Sequence, residues 1–414
     1  MKIENFSKTV NADKARVSAT IIWENCDRPN QEVFFETTAK FADDLVINPN
    51  AWLLSCTLAA MRYGEARIAI DAPISPEIKD GLINSMKCLI DWHGGGRNVI
   101  PIEAPLEKEV LYLDKPKRAG ALFSGGIDAL AMVRDNHLNF PTDHPRYIKD
   151  GILVYGVLEG EEEYDSSFQN VVNAVTTMAH DAGIELIQFH TNAYAHFRDL
   201  DTDFSFWRFE YHGSFLAAIA HAFAPRFNYA SIASTYDFPN LEPWGSHPLL
   251  DPLYSTTNLT IRHENAALSR LEKTKLVGEW DVALKHLRVC NEKASYKEGN
   301  YNCGKCEKCV RTMTAFLALG LLEQISTFKE HDVSKEQLVD VCYLSDSYEE
   351  NCYRELIEPL TAIGRHDLVE GIEQIIRRYH EQDLKGLVKR LDRILFDGNL
   401  LSLGKRLKEA RAKV

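Results

Sequence analysis

The chain has no apolar run that approaches the ~18 residues a helix needs to cross a bilayer, so a membrane-spanning protein is not expected. Its opening stretch, MKIENFSKTVNADKARV, carries no apolar segment of the kind found in a secretory leader, and the cytoplasm is the expected location. Internal repeats and low-complexity segments are missing too, which excludes a repeat architecture. Positive charge is in short supply: 47 Lys and Arg stand against 60 Asp and Glu, a net charge of −13. A surface that is acidic on balance repels a nucleic-acid backbone, whose binding rests on Lys and Arg neutralising phosphates, so nucleic acid is not an expected partner.

What is there is ordinary for a soluble globular chain. The sequence has 414 residues, of which 45% are hydrophobic and 26% charged, enough for two or three domains. Its nine cysteines are expected to stay reduced. Five of them (Cys26, Cys56, Cys88, Cys342 and Cys352) are scattered and most read as small core residues, whereas Cys290, Cys303, Cys306 and Cys309 cluster.

Three segments follow from the patterning. Residues 1–115 read as an α+β domain, with strands in VSATIIWEN, QEVFFETTA and ARIAIDA. Helices are expected in NPNAWLLSCTLAAMRYG and SPEIKDGLINSMKCLIDWH, the second opened by Ser75 and Pro76. The triple glycine at 94–96 reads as a turn into a strand. A polar boundary, LDKPKRAG, spans 113–120. Residues 116–312 then alternate strand and helix, which predicts an α/β fold: a parallel sheet with helices on both faces and ligands at the carboxyl ends of its strands. Residues 313–414 read as a C-terminal helical region ending in the basic tail GKRLKEARAKV, a solvated helix end or a partner contact.

The stretch ALFSGGIDALAMV, residues 121–133, joins the first strand of the α/β segment to a helix. Gly125 and Gly126 leave main-chain N–H groups uncovered by any Cβ, and the helix brings its positive dipole end to the same place. Successive N–H groups there form an anion nest, Ser124 adds a hydroxyl, and Asp128 can cap the helix or hold Mg²⁺ beside phosphates. The plainer reading is a strand–helix turn with Asp128 as its cap. A second glycine motif, GNYNCGKC at 299–306, has Cys in place of the hydroxyl that binds Mg²⁺ and no strand before it, and is set aside.

FSGGIDA resembles the Ser-Gly-Gly-x-Asp-Ser signature of the PP-loop ATP pyrophosphatases, which include GMP synthetase, NAD synthetase and tRNA sulfur-transfer enzymes. The resemblance implies an adenine nucleotide alpha hydrolase-like domain in which Leu122, Phe123, Ser124, Gly125, Gly126, Ile127 and Asp128 bind ATP. Ser124 and Asp128 would act in catalysis, and a substrate oxygen would attack the α-phosphate to give an adenylate and pyrophosphate. Ala129 stands where the family usually carries Ser, so one phosphate donor is absent and the main-chain donors remain.

Twelve residues separate Cys290 from Cys303, and two Cys-x-x-Cys steps lead on to Cys306 and Cys309. Thiolates at this spacing can converge on one soft cation, with a fourth from an upstream loop closing a tetrahedron. Four protein ligands imply a structural Zn²⁺ site; an iron–sulfur cluster, a redox dithiol and unligated thiols are the alternatives. Lys305, Lys308 and Arg311 would partly offset the thiolate charge. The PP-loop followed by CGKCEKCVRT resembles the 7-cyano-7-deazaguanine synthase family over about residues 118–312, with the flanking parts of the chain outside the resemblance. That family uses ATP to adenylate a carboxylate on deazaguanine; ammonia makes the amide, and a second ATP-dependent step gives the nitrile.

Between the two motifs, residues 234–258 are rich in polar and aromatic groups and match the family's substrate loop by position. Tyr236, Asp237, Trp244, His247 and Asp251 are candidates for gripping the substrate. Arg208 and His212, at the start of another helix, could meet a phosphate or carboxylate. The acidic EGEEEYD at 159–165 reads as a solvated loop. No general base is assigned.

The resemblance implies a C–N bond-forming ligase with a small-molecule carboxylate substrate. Relatives of the family occur in anti-phage gene clusters, which implies as an alternative the attachment of a deazaguanine-type group to a partner protein or peptide. A tRNA-thiolation enzyme and a non-catalytic nucleotide-binding scaffold are further alternatives. The oligomeric state is left open.

Overall fold

The computed structural model describes residues 1–107, 118–156, 166–290 and 301–396. The acidic stretch 159–165, the tail 404–414 and most of the expected boundary at 113–120 lie outside the described residues. Among the described residues ten strands form one sheet: β1 Lys2–Val10, β2 Lys14–Ile22, β3 Gln31–Thr38, β4 Ile68–Ile70, β5 Ile102–Glu103, β6 Arg118–Leu122, β7 Ile148–Tyr155, β8 Glu185–Thr191, β9 Phe227–Ala233 and β10 Thr260–Glu264. Their order is β10-β9-β6-β7-β8-β3-β2-β1-β4-β5. The β10-β9-β6-β7-β8 block is parallel throughout, and β1-β4-β5 is parallel as well. The ladders β8–β3, β3–β2 and β2–β1 are antiparallel. The protein is therefore α/β with a mostly parallel sheet.

The strands on either side of residue 115 belong to this one sheet, joined where Phe35, Glu36 and Thr37 pair with Thr191, His190 and Phe189. The described chain divides into two compact units. The larger carries Met1–His93, Arg97–Cys303 and Gln324–Phe328; the smaller is built from Gly304–Glu323 and the chain from Lys329 onward. The helices Glu307–Ala318, Lys335–Val341, Ser347–Arg354, Ile357–Ala362 and His366–Phe396 follow the sheet in sequence.

In the larger unit, α1 Pro49–Arg62, α2 Pro76–His93 and α5 His212–Ala222 share an apolar cluster with Leu122, Ile152, Ile187, Phe189, Ile232 and Ile261. α3 Ile127–Asn139 and α4 Ser166–Asp181 pack on the same strands but add nothing to that cluster, so they cover the opposite face. Burial on both faces accounts for the consecutive buried positions Asp150–Leu153 of β7. β2 buries Ala15, Val17, Ala19 and Ile21 at alternate positions and turns Lys14, Arg16 and Thr20 the other way.

α5 also buries a titratable ring. His221 is 1% exposed, and its Nε2–H donates to the carbonyl of Tyr254 at 2.8 Å. Burial pushes its pKa down to about 4. As pH falls from the unfolded value of ~6.5 toward 4, the unfolded chain takes up a proton that the folded chain refuses. Stability is therefore full above that window and falls within it, by on the order of 3 kcal/mol at its lower end. His221→Gln keeps an N–H for Tyr254 and removes the titration. Its urea midpoint should fall less than that of the wild type between about pH 7.5 and pH 4.5.

Candidate functional site

β6 has β7 on one side and β9 on the other. The chain leaves β6 toward β7 and β8, then returns to β9 and β10 on the opposite flank, so the connections after β6 and β9 diverge at the carboxyl ends of the strands. Such a reversal of strand order is the place where parallel sheets take their ligands. Ser124–Gly126 form the connection after β6, and residues 234–258 form the one after β9. Sequence reasoning had singled out both.

Gly125 sits at φ +78°, in the left-handed region, and a Cβ there would lie 3.0 Å from Val175 Cγ2 and 3.1 Å from Met178 Cε on α4. Gly126 is the extended N-cap of α3 and offers no capping side chain. Among the described residues the N–H groups of Ser124, Gly125, Ile127 and Asp128 find no acceptor, and that of Gly126 reaches only Ser124 Oγ, at 3.4 Å. Several N–H groups without an acceptor at one helix start suit an anion. Leu122, Phe123 and Ile127 turn their side chains into the core, so their part in such a cradle is main-chain only.

Asp128 is the second residue of α3 and does not cap it. Its carboxylate oxygens lie 2.9 and 3.0 Å from Arg270 Nη1, and Lys273 Nζ is 3.8 Å away. Both cations come from α6 Arg270–Gly278, whose start is fixed by a capping box between Ser269 and Glu272. Lys273 is 1% exposed and donates to the carbonyls of Ser234 at 2.8 Å and Thr235 at 3.3 Å, tying α6 to the head of the loop after β9. Arg288 donates its main-chain N–H to Gly125 O at 3.2 Å and its Nη1 to Ser124 O at 3.4 Å. Three cations thus stand around the loop after β6. With its charge balanced by Arg270, Asp128 is not set up as a metal ligand. Sequence reasoning missed Arg270, Lys273 and Arg288. The Ser-x-x-Glu box announced the start of α6 but not which loop that helix would face.

The expected substrate residues separate into two groups. Arg208, His212, Tyr236 and Trp244 come together: the Arg208 guanidinium is 5.2 Å from the Trp244 ring centre, with the Tyr236 ring at 5.3 Å and the His212 ring at 5.9 Å. Phe209 joins them at 5.4 Å. A π-helical turn, Trp207–Tyr211, leads into α5 and sets this spacing; such turns are frequent at functional sites. His212 Nδ1 donates to the carbonyl of Trp207 at 3.0 Å, and burial holds the ring below its ordinary pKa. The second group faces inward. Asp237 accepts from Asn240 Nδ2 at 2.6 Å, His247 is buried with its ring 4.9 Å from that of Trp92, and Asp251 is wholly buried. These three frame the loop from within.

The four clustered cysteines converge, with all Sγ atoms within 4.8 Å of one another. A tetrahedral site with metal–sulfur bonds of about 2.3 Å has edges of about 3.8 Å, so these donors fit a metal such as zinc. Cys290 and Cys309 are buried, whereas Cys303 and Cys306 are half-buried. Gly304, at φ +69°, makes the turn inside the first Cys-x-x-Cys step. Cys306 is the N-cap of the helix Glu307–Ala318, where a thiolate is favoured by the helix dipole. Asn302, which the sequence did not mark, holds the upstream ligand in place. Its Oδ1 accepts from the N–H groups of Val289 at 2.8 Å and Cys290 at 3.2 Å, and its Nδ2 donates to Leu287 O and Thr327 Oγ1, each at 2.9 Å. Arg311 lies 3.4 Å from Glu307, which takes up part of the charge expected to offset the thiolates.

No helix among the described residues is long and apolar enough to cross a membrane. No protein-family model matches the chain, and no curated protein matches it in sequence.

Proposed function

We propose that the protein is a PP-loop ATP pyrophosphatase that activates a carboxylate as its adenylate and passes the acyl group to a nitrogen nucleophile. One observation carries this reading: the Ser124–Asp128 turn lies at the carboxyl end of β6, at the point where strand order reverses, with a run of undonated N–H groups. In this reading those N–H groups and the start of α3 hold the β- and γ-phosphates of ATP, while Lys273 and Arg288, beside the Arg270–Asp128 pair, offset part of their charge. A carboxylate oxygen of the substrate then attacks the α-phosphorus. A P–O bond forms, the bond to the pyrophosphate oxygen breaks, and pyrophosphate departs with its charge partly offset. Positioning and electrostatic stabilisation account for the rate, and no proton need move in this step. Magnesium would arrive with the triphosphate; Asp128 is engaged by Arg270, and no step is assigned to a metal on it.

Trp244, Tyr236 and Arg208 suit a planar heterocycle bearing a carboxylate, which supports a deazaguanine-type acid as the substrate. Ala129 is buried in α3, so the proposed phosphate site rests on main-chain donors rather than a hydroxyl at that position. The four cysteines would hold zinc in a closed, structural role. The test is isotope exchange: with Mg²⁺ and 7-carboxy-7-deazaguanine, labelled pyrophosphate should enter ATP. Tight ATP binding with no exchange would instead assign the chain to a nucleotide-binding scaffold.

A further inference from the structure

Asp251 has no exposed surface, yet it stands where three donors meet. Its Oδ2 accepts from Ser246 Oγ at 2.6 Å and from His263 Nδ1 at 2.7 Å, and its Oδ1 accepts from the N–H of His247 at 3.3 Å. The pocket around it leaves no slack: a Cβ on Gly213 would lie 2.5 Å from Asp251 Oδ1. A carboxylate this deeply buried is tolerated only when its lone pairs are used, and here they fix one tautomer of His263. With the proton on Nδ1, the other ring nitrogen presents a lone pair. That Nε2 has no hydrogen-bond partner among the described residues, and the His263 side chain is 3% exposed. The two neighbouring imidazoles are held differently. His212 gives its Nδ1–H to a neutral carbonyl, and His247 uses Nδ1 to accept the N–H of Leu249 at 3.0 Å. Of the three, His263 has the carboxylate behind it.

The ring stands at the carboxyl edge of the sheet. His263 pairs with Ile232 of β9, and Ser231 of β9 pairs with Ala121 of β6, so two strand spacings, about 10 Å, separate it from the end of β6. An acyl-adenylate running from the loop after β6 toward Trp244 can span that gap.

We propose that His263 Nε2 is the general base for the acyl-transfer step, with Asp251 and Ser246 as its positioning residues. The inference rests on the adenylation reading above. In the step, the nitrogen nucleophile attacks the acyl carbon of the adenylate, and the C–N bond forms as the C–O bond to AMP breaks. The proton lost by nitrogen goes to Nε2 and then to solvent. Pyrophosphate release comes earlier and needs no base.

The test compares two nucleophiles on the same protein. Ammonium must lose a proton before or during attack, whereas hydroxylamine is largely unprotonated near neutral pH and traps adenylates unaided. With ATP, Mg²⁺ and 7-carboxy-7-deazaguanine, His263→Gln should lower ammonium-dependent amide formation about 100-fold or more. Hydroxamate formation and pyrophosphate exchange should stay within about twofold of wild type. Retained hydroxamate formation also shows that the variant is folded. If both products fall together, or neither falls, His263 is not the base. If wild-type protein gives neither exchange nor hydroxamate, the adenylation reading itself fails and takes this inference with it.

Discussion

Gly125→Ala should abolish pyrophosphate exchange and lower stability by about 2–5 kcal/mol. Two costs combine. An alanine at φ +78° pays for the left-handed conformation, about 1–2 kcal/mol. Its Cβ also meets Val175 Cγ2 at 3.0 Å and Met178 Cε at 3.1 Å, both on fully buried side chains that have little room to withdraw. Overpacking of this kind costs about 1–3 kcal/mol. The available relief is to lift the loop away from α4, and that moves the N–H groups that would face the phosphates. Gly126→Ala is the control. Its φ of −85° suits any residue, and the nearest atoms to a Cβ there lie at 3.5 and 3.6 Å, in ordinary contact. It should leave the urea midpoint nearly unchanged. Equilibrium dialysis of ATP against both variants, with urea melts alongside, separates the two effects. ATP binding at wild-type strength in a correctly folded Gly125→Ala protein would remove the loop from the nucleotide site.

The contrast between these glycines shows what the sequence can and cannot say. The turn itself was legible because its information is local: small apolar residues, two glycines and the start of an amphipathic helix occupy thirteen consecutive positions. The cysteine set was legible for the same reason. What surrounds them depends on contacts between distant residues. Arg270 meets Asp128 across 142 positions, and Arg288 reaches back to Ser124 across 164. β1 gave little signal because Ile3 is its only buried residue, so the strand is defined by pairing rather than by an apolar face. β10, TIRHE, buries only Ile261 and is an edge strand for the same physical reason. His263 was missed with it. In residues 234–258 the polar density was visible, but composition alone cannot tell an aspartate that frames a loop, such as Asp251, from one that faces a ligand. The pairing of β3 with β8 carried no local mark either; it makes one sheet of strands that patterning alone assigned to separate segments.

Removing the metal is the second change with a large expected effect, and it should reach the nucleotide loop. The protein should carry one zinc per chain, and Cys306→Ser should lose it. Serine at 306 is the informative choice because it is a good N-cap, so the helix Glu307–Ala318 keeps its start while the thiolate is lost. In zinc-finger peptides, which have no other core, structural zinc supplies about 10–16 kcal/mol. Here the sheet has its own apolar cluster, so the fold should survive with its far-ultraviolet dichroism largely retained. The local consequence is sharper. Cys290 lies two residues after Arg288, whose main-chain N–H holds Gly125 O at 3.2 Å, and Asn302 ties Cys290 to the turn that carries Cys303. Without the metal that segment loses one of its restraints, and the hydrogen bond to Gly125 loses part of its support. Pyrophosphate exchange should then fall at least tenfold, ~1.4 kcal/mol of lost transition-state stabilisation, even though no cysteine touches ATP. Metal analysis and exchange assays on Cys306→Ser and on chelator-treated wild type would check both halves. Iron in place of zinc, with the colour of a cluster, would overturn the structural-zinc assignment. Full exchange activity in zinc-free protein would show that the four thiolates and the phosphate loop are independent of each other.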